Sequence, residues 1–226
     1  MIYKNLHQIW LQGPPPDRFE DNINSLKQYH DQWRYMLWDE QSILNLLQEH
    51  YPGKYIDMWR SYPTLIQKCD AARHFILHTY GGLYVDLDIY FIRNIDDLIT
   101  ERCVLFYANP IDSINHTAPG KLLTNSIYYA ERQDKFMDIC IKSLFLNKDK
   151  FNDDPNPGFV SFHTTAGGFI TKMYEWYKSM VNVTVHGHEH FELKQATERC
   201  YNLINCDEVV NTCAGVHMSV GDWFND

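Results

Sequence analysis

Short runs of apolar residues, each stopped by glycine, proline or polar positions, recur along the chain and have the length of buried strands. The longest of them, residues 83–92, is apolar or aromatic except for two aspartates. A run buried on both faces of a sheet has this continuous character. The pattern predicts strands at residues 6–11, 33–38, 83–92, 104–108 and 181–185.

Apolar residues spaced three and four positions apart predict helices between these strands. The clearest helix covers about residues 64–80 and is followed by Gly81-Gly82. The glycine pair predicts the C-terminal stop, because glycine adopts positive φ without steric cost. Further helices are predicted around residues 23–29, after Asp39 as an N-cap, at about 133–146 and at 168–177.

Strands and helices alternate, most visibly in the first half of the chain. This order predicts an α/β fold with a mainly parallel central sheet flanked by helices. The 226 residues contain no internal repeat, low-complexity tract or linker, so we expect a single domain over residues 1–226. A chain of this length buries most of its apolar surface without disulfides or structural metals.

Composition and charge argue against two classes of protein. The formal charge of −9 and the lack of any run of five basic residues disfavour nucleic-acid binding. No apolar stretch reaches the roughly 18 residues of a membrane helix, and the N-terminus lacks a signal-peptide core. We therefore expect a soluble, cytoplasmic protein in which the sequons at Asn115 and Asn182 carry no glycan.

Six cysteines occur without a Cys-x-x-Cys pair and are expected to be reduced, mostly buried thiols in that compartment. The run from His186 to His190 lies near Cys200, Cys206 and Cys213, so a structural zinc site is an alternative. The cysteine spacings do not match zinc-knuckle patterns, which favours a polar loop instead.

Asp86 and Asp88 are the strongest chemical feature of the sequence. In a strand, positions i and i+2 point to the same side, so both carboxylates would face one place. Two buried like charges cost several kcal/mol unless a partner compensates them, and a divalent cation that prefers oxygen ligands is the natural partner. The alternative is a strand end that emerges into solvent at Asp86. The apolar run resumes after Asp88, which favours the metal.

Spacing alone leaves the other candidate residues ambiguous. Asp70 and Arg73 lie three apart on the long helix, where they could form an exposed ion pair or bind sugar hydroxyls and phosphate. His217 and Asp222 could complete a metal shell, since imidazole and carboxylate both suit manganese. A lone histidine is more often a surface or core residue.

These residues stand in an order that resembles a known family. The blocks are Leu6-His7-Gln8-Ile9-Trp10, Asp70-Ala71-Ala72-Arg73 and Tyr80-Gly81-Gly82-Leu83-Tyr84-Val85-Asp86-Leu87-Asp88. They closely resemble the DXD-motif sugar transferases of glycosyltransferase family 32. That family includes yeast initiation-specific mannosyltransferases and bacterial capsular-polysaccharide enzymes, and glucosylating clostridial toxins are more distant relatives. The strong match covers roughly residues 6–100.

Weaker similarity follows in the second half. Asn125 with the helix after it resembles the family's Asn-containing block, and Thr165-Ala166-Gly167 stands where a Thr-Gly-Pro turn is usual. His217 lies six positions before Trp223, as in the family's closing element, although Asp222 replaces a serine there.

The resemblance implies a glycosyltransferase A type nucleotide-binding fold and a divalent cation, usually Mn²⁺, with Mg²⁺ as the alternative. It implies transfer of a sugar, with retention of anomeric configuration, from a UDP- or GDP-sugar to a glycan or other hydroxyl acceptor. About residues 1–110 would hold the donor nucleotide and metal. About residues 111–226 would form the acceptor side and a closing C-terminal segment.

The resemblance also implies individual roles. Asp86 would contact the ribose and, through water, the metal, which Asp88 would ligate directly. His217 would be a further ligand, and Asp222 a ligand or a neighbour of the metal shell. The donor-binding residues would be Trp10 stacked on the base, Asp70 and Arg73 on the sugar and phosphates, Asn125, and Trp223 closing over the diphosphate.

Two other functions stay open at this point. A metal-dependent hydrolase of nucleotide-sugars or phosphate esters would use the same carboxylates and release free sugar without an acceptor. A catalytically silent sugar- or nucleotide-binding protein could share the scaffold, because fold does not fix function. The complete set of Asp70, Arg73, Asp86 and Asp88 argues against a silent protein.

Overall fold

The computed structural model describes residues 2–109, 121–151, 153–191 and 212–218. The first part of the chain contains β1 (Asn5–Ile9), α1 (Glu20–Tyr29), β2 (Arg34–Trp38), α2 (Glu40–His50), α3 (Lys54–Ser61) and α4 (Leu65–Tyr80). The strands β3 (Gly82–Val85), β4 (Ile89–Phe91), β5 (Cys103–Phe106) and β6 (Ile127–Ala130) follow. The remaining elements are α5 (Lys135–Asn147), α6 (Pro157–Thr164), α7 (Gly167–Tyr177), β7 (Val183–His186) and β8 (Gly215–His217).

Six strands form the central sheet in the order β2-β1-β3-β6-β5-β7. β1 pairs in parallel with both β2 and β3, and β5 pairs in parallel with β7. Only β6 runs antiparallel to its neighbours in this sheet, which are β3 and β5. The predicted α/β fold with a mainly parallel sheet is therefore confirmed.

Apolar side chains form two separate cores around the sheet. Along β3, Tyr84 belongs to the core that α4 helps to build, whereas Leu83 and Val85 belong to the other core, together with Leu26 of α1. Alternation of side chains along a strand produces this division. Because both faces of β3 are covered, its sequence is apolar throughout.

Local signals set the ends of the helices that lead to the sheet. The Asp39 side chain accepts a hydrogen bond from the backbone N–H of Ser42 and caps α2, as predicted. After α4, Gly81 and Gly82 have φ of 64° and 124°. A Cβ on Gly82 would lie 2.4 Å from the backbone oxygen of Asn5, so the glycine lets β3 approach β1 closely.

The predicted strand at residues 83–92 is wrong as a single element. β3 ends at Val85, the chain turns at 86–88 with Ile89 N–H donating to Asp86 O, and β4 pairs with β8 in a separate antiparallel sheet. Asp86 and Asp88 therefore lie in a turn and not in a strand, so the alternation of side chains along a strand does not explain why the two carboxylates lie close together. The alternative of a solvated strand end is also wrong, because the two side chains are only 18% and 16% exposed.

Other elements also differ from the sequence prediction. The strand β6 separates Asn125 from the helix that was expected after it. The helix α3 begins directly after Pro52-Gly53, where the sequence indicated only the end of α2. Gly53 has φ of 74° and serves as the N-cap residue of α3, so one turn both ends and begins a helix. The helix α6 also has no counterpart in the predicted elements.

No described helix combines the length and apolar composition required to cross a membrane. The four described cysteines, Cys69, Cys103, Cys140 and Cys213, are buried and form no disulfide with one another, whereas residues 200 and 206 lie outside the described ranges. Within those ranges the histidine run forms no metal-binding cluster. His186 Nε2 and His190 Nδ1 instead lie 2.8 Å from backbone oxygens, those of Leu98 and Thr212.

Candidate functional site

Three candidate metal ligands meet at the turn between β3 and β4. Asp86 and Asp88 belong to the turn, and His217 is brought to it by the pairing of Ile89 with His217 across β4 and β8. One ligand atom from each of the three lies within 4.8 Å of the others, and His217 Nε2 lies 3.3 Å from Asp88 Oδ1. No other group of three histidine, cysteine or acidic side chains converges in this way in the described part of the chain.

The donor set of this cluster fits a hard divalent cation. Two carboxylates and one imidazole are ligand types that Mn²⁺ accepts. Burial raises the pKa of Asp86 to about 6, an effect that Arg73 opposes and Asp88 strengthens. A cation bound here would favour the ionised form of Asp86 and remove the repulsion from Asp88.

Arg73 connects helix α4 to this turn. Its Nη2 lies 3.0 Å from Asp70 Oδ1 and 3.1 Å from Asp86 Oδ1, and its Nη1 donates to the backbone oxygen of Asn125 at 2.6 Å. The side chains of Asp70 and Arg73 are 1% and 3% exposed, which excludes the exposed ion pair considered from the sequence. The guanidinium therefore joins three separate segments: α4, the turn at Asp86 and the segment that contains Asn125.

Neutral donors hold the two carboxylates that flank Arg73. The Tyr84 hydroxyl donates to Asp86 Oδ1 at 2.5 Å. Asn125 Nδ2 donates to Asp70 Oδ1 at 2.8 Å, and Thr165 Oγ1 donates to Asp70 Oδ2 at 3.2 Å. From the sequence alone, neither Tyr84 nor Thr165 had a predicted role of its own. The position of Tyr84 two residues before Asp86 was a usable signal, whereas Thr165 lies 95 residues from Asp70 and has none.

Trp10 packs against the same turn. Its side chain packs in a small cluster with Phe19 and Leu87, the residue between the two aspartates, and is 6% exposed. The ring meets Phe19 edge-on at 5.7 Å. Trp10 therefore supports the turn, and its stacking on a base stays a prediction. Residues 222 and 223 lie outside the described ranges.

Residues 16–105 match the family described as "Glycosyltransferase sugar-binding region containing DXD motif". This span includes Asp70, Arg73, Asp86 and Asp88, and it ends before Asn125. The match therefore covers the buried ion pairs and the turn, but not the segments that contribute Asn125, Thr165 and His217.

Curated relatives match this chain over part of their length. Inositol phosphoceramide mannosyltransferase 1 of Schizosaccharomyces pombe is 37% identical over 103 residues, which is 44% of this chain and 32% of the relative. Mannosyl phosphorylinositol ceramide synthase SUR1 of Saccharomyces cerevisiae is 30% identical over 182 residues, which is 79% of this chain and 43% of the relative. The chain thus spans less than half the length of these two relatives.

Solved structures share the fold at low identity. The UDP-bound glycosyltransferase domain of the YGT toxin superposes with a TM-score of 0.58 at 9% identity, over 81% of this chain and 79% of that one. The glycosyltransferase GlyE of Streptococcus pneumoniae TIGR4 superposes with a TM-score of 0.52 at 11% identity, over 96% of this chain and 54% of that one. The predicted glycosyltransferase A type fold is therefore confirmed.

Proposed function

We propose that the protein is a metal-dependent glycosyltransferase, on the premise that residues 16–105 match the family of glycosyltransferase sugar-binding regions that contain a DXD motif. It transfers a sugar from a nucleotide-sugar donor to a hydroxyl acceptor, with retention of configuration. The observation that carries the proposal is the convergence of Asp86, Asp88 and His217 beside the buried Arg73.

The charge balance of the site supports a cation. The site contains three carboxyl groups, those of Asp70, Asp86 and Asp88, but only one guanidinium, which pairs with Asp70 and Asp86, so the site without metal would repel a diphosphate. In this proposal Asp88 and His217 would hold the cation, with Asp86 beside it and available to the ribose. When bound, the cation supplies Lewis-acid stabilisation of the negative charge on the leaving diphosphate. Mn²⁺ suits the donor set best, with Mg²⁺ as the alternative.

Arg73 is the group of this chain that stabilises the leaving diphosphate. Its charge is held in place by two carboxylates and the Asn125 carbonyl before any donor arrives, so no reorganisation is needed when charge develops.

Asp70 has a more indirect role in this geometry than the resemblance implied. It is 1% exposed and already accepts hydrogen bonds from Arg73, Asn125 and Thr165. A carboxylate accepts roughly four hydrogen bonds, so about one position remains for a sugar hydroxyl. Asp70 therefore mainly positions Arg73, and Asn125 does so through the same carboxylate.

The comparisons support two classes of nucleotide-sugar donor, GDP-sugars and UDP-sugars. The names of two relatives, an inositol phosphoceramide mannosyltransferase and a mannosyl phosphorylinositol ceramide synthase, support a mannosyl donor, such as a GDP-sugar, and an inositol-containing acceptor. The UDP-bound YGT toxin domain supports a UDP-sugar. A hydrolase of nucleotide-sugars is the second candidate, because the metal cluster alone would serve that reaction as well.

Thermal unfolding with a panel of UDP- and GDP-sugars, with and without Mn²⁺, tests the proposal. A donor that binds only the folded protein raises its stability in proportion to the logarithm of donor concentration over Kd. We expect one nucleotide class to raise Tm, and only with Mn²⁺ present. A Tm that no nucleotide-sugar changes would contradict the proposal. A donor that is consumed equally fast with and without any acceptor would identify the hydrolase.

A further inference from the structure

The turn between β3 and β4 is held by its backbone as well as by its side chains. Each of the three carbonyl oxygens of residues 86–88 accepts a hydrogen bond from another segment of the chain. In order, the donors are Gln8 Nε2 of β1 at 3.4 Å, Asn22 Nδ2 of α1 at 2.9 Å and the backbone N–H of Met218 at 2.9 Å. The turn is therefore attached to a strand, to a helix and to the residue that follows β8.

These three hydrogen bonds differ in what they fix. The bond from Gln8 is longer than the roughly 2.7–3.2 Å of an ordinary N–H···O bond. The bond from Met218 joins the segments that carry Asp88 and His217, so it fixes these two segments to each other and not to the rest of the protein. The bond from Asn22 has an ordinary length and connects the middle of the turn to a helix outside the metal cluster.

The residue that accepts from Asn22 is held at two points by the start of α1. Asn22 and Leu87 are 3% and 4% exposed, so their hydrogen bond is shielded from water. The Leu87 side chain packs in a cluster with Phe19, the residue directly before α1, and Ile23 of α1 packs against that cluster. Loss of the Asn22 amide would leave a buried carbonyl without this donor, which is costly.

The hydrogen bond from Asn22 also determines where the Asp88 side chain begins. The carbonyl group of Leu87 lies in the planar peptide unit that ends at the Cα atom of Asp88, so fixing the carbonyl orients that whole unit. Asp86 is fixed separately, because its carboxyl group pairs with Arg73 at 3.1 Å. Asn22 therefore governs the position of one carboxylate of the turn relative to the other.

We propose that Asn22 is a positioning residue of the metal site, because it sets the separation of the Asp86 and Asp88 carboxylates through the carbonyl of Leu87. The inference rests on the proposed metal-dependent transfer, to which it adds a residue that acts through the backbone. Groups that orient metal ligands typically change metal affinity by about 10–100-fold when they are replaced. Since Asn22 orients a peptide unit and not a ligand atom itself, the lower end of this range applies.

Two measurements on Asn22→Ala test this role, namely titration with Mn²⁺ and amide hydrogen exchange of the metal-free protein. Alanine favours a helix more than asparagine does, so α1 should be retained. Asn22→Ser, which also lacks the amide, is the second variant if the first does not fold. The matched control is Asn5→Ala, because Asn5 Nδ2 also donates to backbone carbonyls, those of Tyr80 and Gly81 before β3. Urea denaturation gives the stability of each variant.

We expect Asn22→Ala to bind Mn²⁺ about tenfold more weakly than the wild type. The N–H groups of Ile89 and Met218, which donate to carbonyl oxygens of the turn, should exchange faster in this variant without metal. Asn5→Ala should keep its Mn²⁺ affinity within about twofold of the wild type and leave the exchange of both N–H groups unchanged.

Three results would overturn the role of Asn22 and leave the proposed function intact. They are equal Mn²⁺ affinity of Asn22→Ala and the wild type, equal weakening by Asn22→Ala and Asn5→Ala, and unchanged exchange of both N–H groups in Asn22→Ala. Failure of the wild type to bind Mn²⁺, with or without UDP or GDP, would overturn the proposed function together with this inference.

Discussion

Arg73 of α4 and Asp86 at the end of β3 are joined by an ion pair of 3.1 Å between Nη2 and Oδ1. The guanidinium also lies 4.6 Å from the centre of the Tyr84 ring, and the Tyr84 hydroxyl donates to the same oxygen of Asp86. Strand, turn and helix are thereby fixed to one another around a buried positive charge. The turn that carries Asp86 and Asp88 is thus placed by α4 as much as by the sheet.

Replacing Arg73 with Lys should lower the free energy of unfolding by about 2–3 kcal/mol. A lysine keeps the charge but has no fork that reaches Asp70, Asp86 and the Asn125 carbonyl together. Urea denaturation measures the loss. The matched control is Arg102→Lys, since Arg102 is 53% exposed and pairs with Glu131. That change should cost less than about 0.5 kcal/mol. Similar losses in the two variants would show that the buried network stabilises the protein no more than an exposed ion pair does.

Affinity for Mn²⁺ should fall as pH falls through about 6. Burial raises the pKa of Asp86 to about 6, so below that pH the cation must displace a proton from the carboxyl group. Metal titration by calorimetry at pH 5.5, 6.5 and 7.5 should show weakening at the lowest value, with proton release to the buffer. An affinity that is constant over this range would show that Asp86 takes no part in binding the metal.

Replacing Tyr84 with Phe should strengthen this pH dependence. The Tyr84 hydroxyl lowers the pKa of Asp86 by donating to its ionised form, so its loss raises that pKa further. The variant should bind Mn²⁺ more weakly than the wild type at pH 6.5 and approach it at higher pH. Tyr129→Phe removes a hydroxyl that accepts from Tyr3 N–H on the same sheet, and it should leave the pH profile unchanged.

The stability of the protein should decline between pH 6.5 and 4 through His7. The ring is fully buried, its Nδ1 accepts from Trp38 Nε1, and its Nε2 donates to Gly81 O, which is the neutral tautomer. Burial lowers the pKa of His7 to about 4. In the unfolded chain this histidine binds a proton as pH falls below about 6.5, whereas in the folded protein it does so only near pH 4. The contribution of the neutral ring to stability is therefore complete above pH 6.5 and is lost as pH falls to 4. Its size is about 3 kcal/mol.

Denaturation curves of His7→Gln test this contribution. The variant should be less stable than the wild type at pH 7, and the difference should shrink as pH approaches 4. His50→Gln, at a partly exposed position, should track the wild type. A constant difference between His7→Gln and wild type across this range would contradict the account of His7.

The parts of the fold that local residues determine could be predicted from the sequence. Asp39 bonds only to its own first turn, and Gly81 ends α4 through its own φ, so each was recognisable in place. The break at Asp86–Asp88 could not be recognised, because Val85, Ile89 and Phe91 are all buried in one core although they belong to two sheets. The hydrophobic pattern of a sequence indicates which residues are buried. Because the apolar residues on both sides of this turn are buried, the pattern does not show where the first strand ends.

The candidate site, too, could be predicted only where it depends on neighbouring residues in the sequence. Asp70 and Arg73 share a helix, and their spacing indicated a pair, but whether the pair was exposed depended on Asp86, Asn125 and Thr165 from distant segments. His217 reaches the turn only because β8 pairs with β4, more than 120 residues away in the chain. Ligand chemistry made that histidine a candidate, but only the family resemblance favoured a ligand over a packing residue, since no local pattern distinguishes the two.

Calorimetric titration of UDP and GDP into the wild type and into Asp88→Asn, each with Mn²⁺ and with EDTA, tests the central claim most directly. The substitution nearly preserves volume and removes one of the two repelling carboxylates, so the protein should stay folded. We predict that one nucleotide binds the wild type with Mn²⁺, and that EDTA or the substitution abolishes this binding. Equal binding by Asp88→Asn, or by the wild type in EDTA, would contradict a cation held by Asp86, Asp88 and His217.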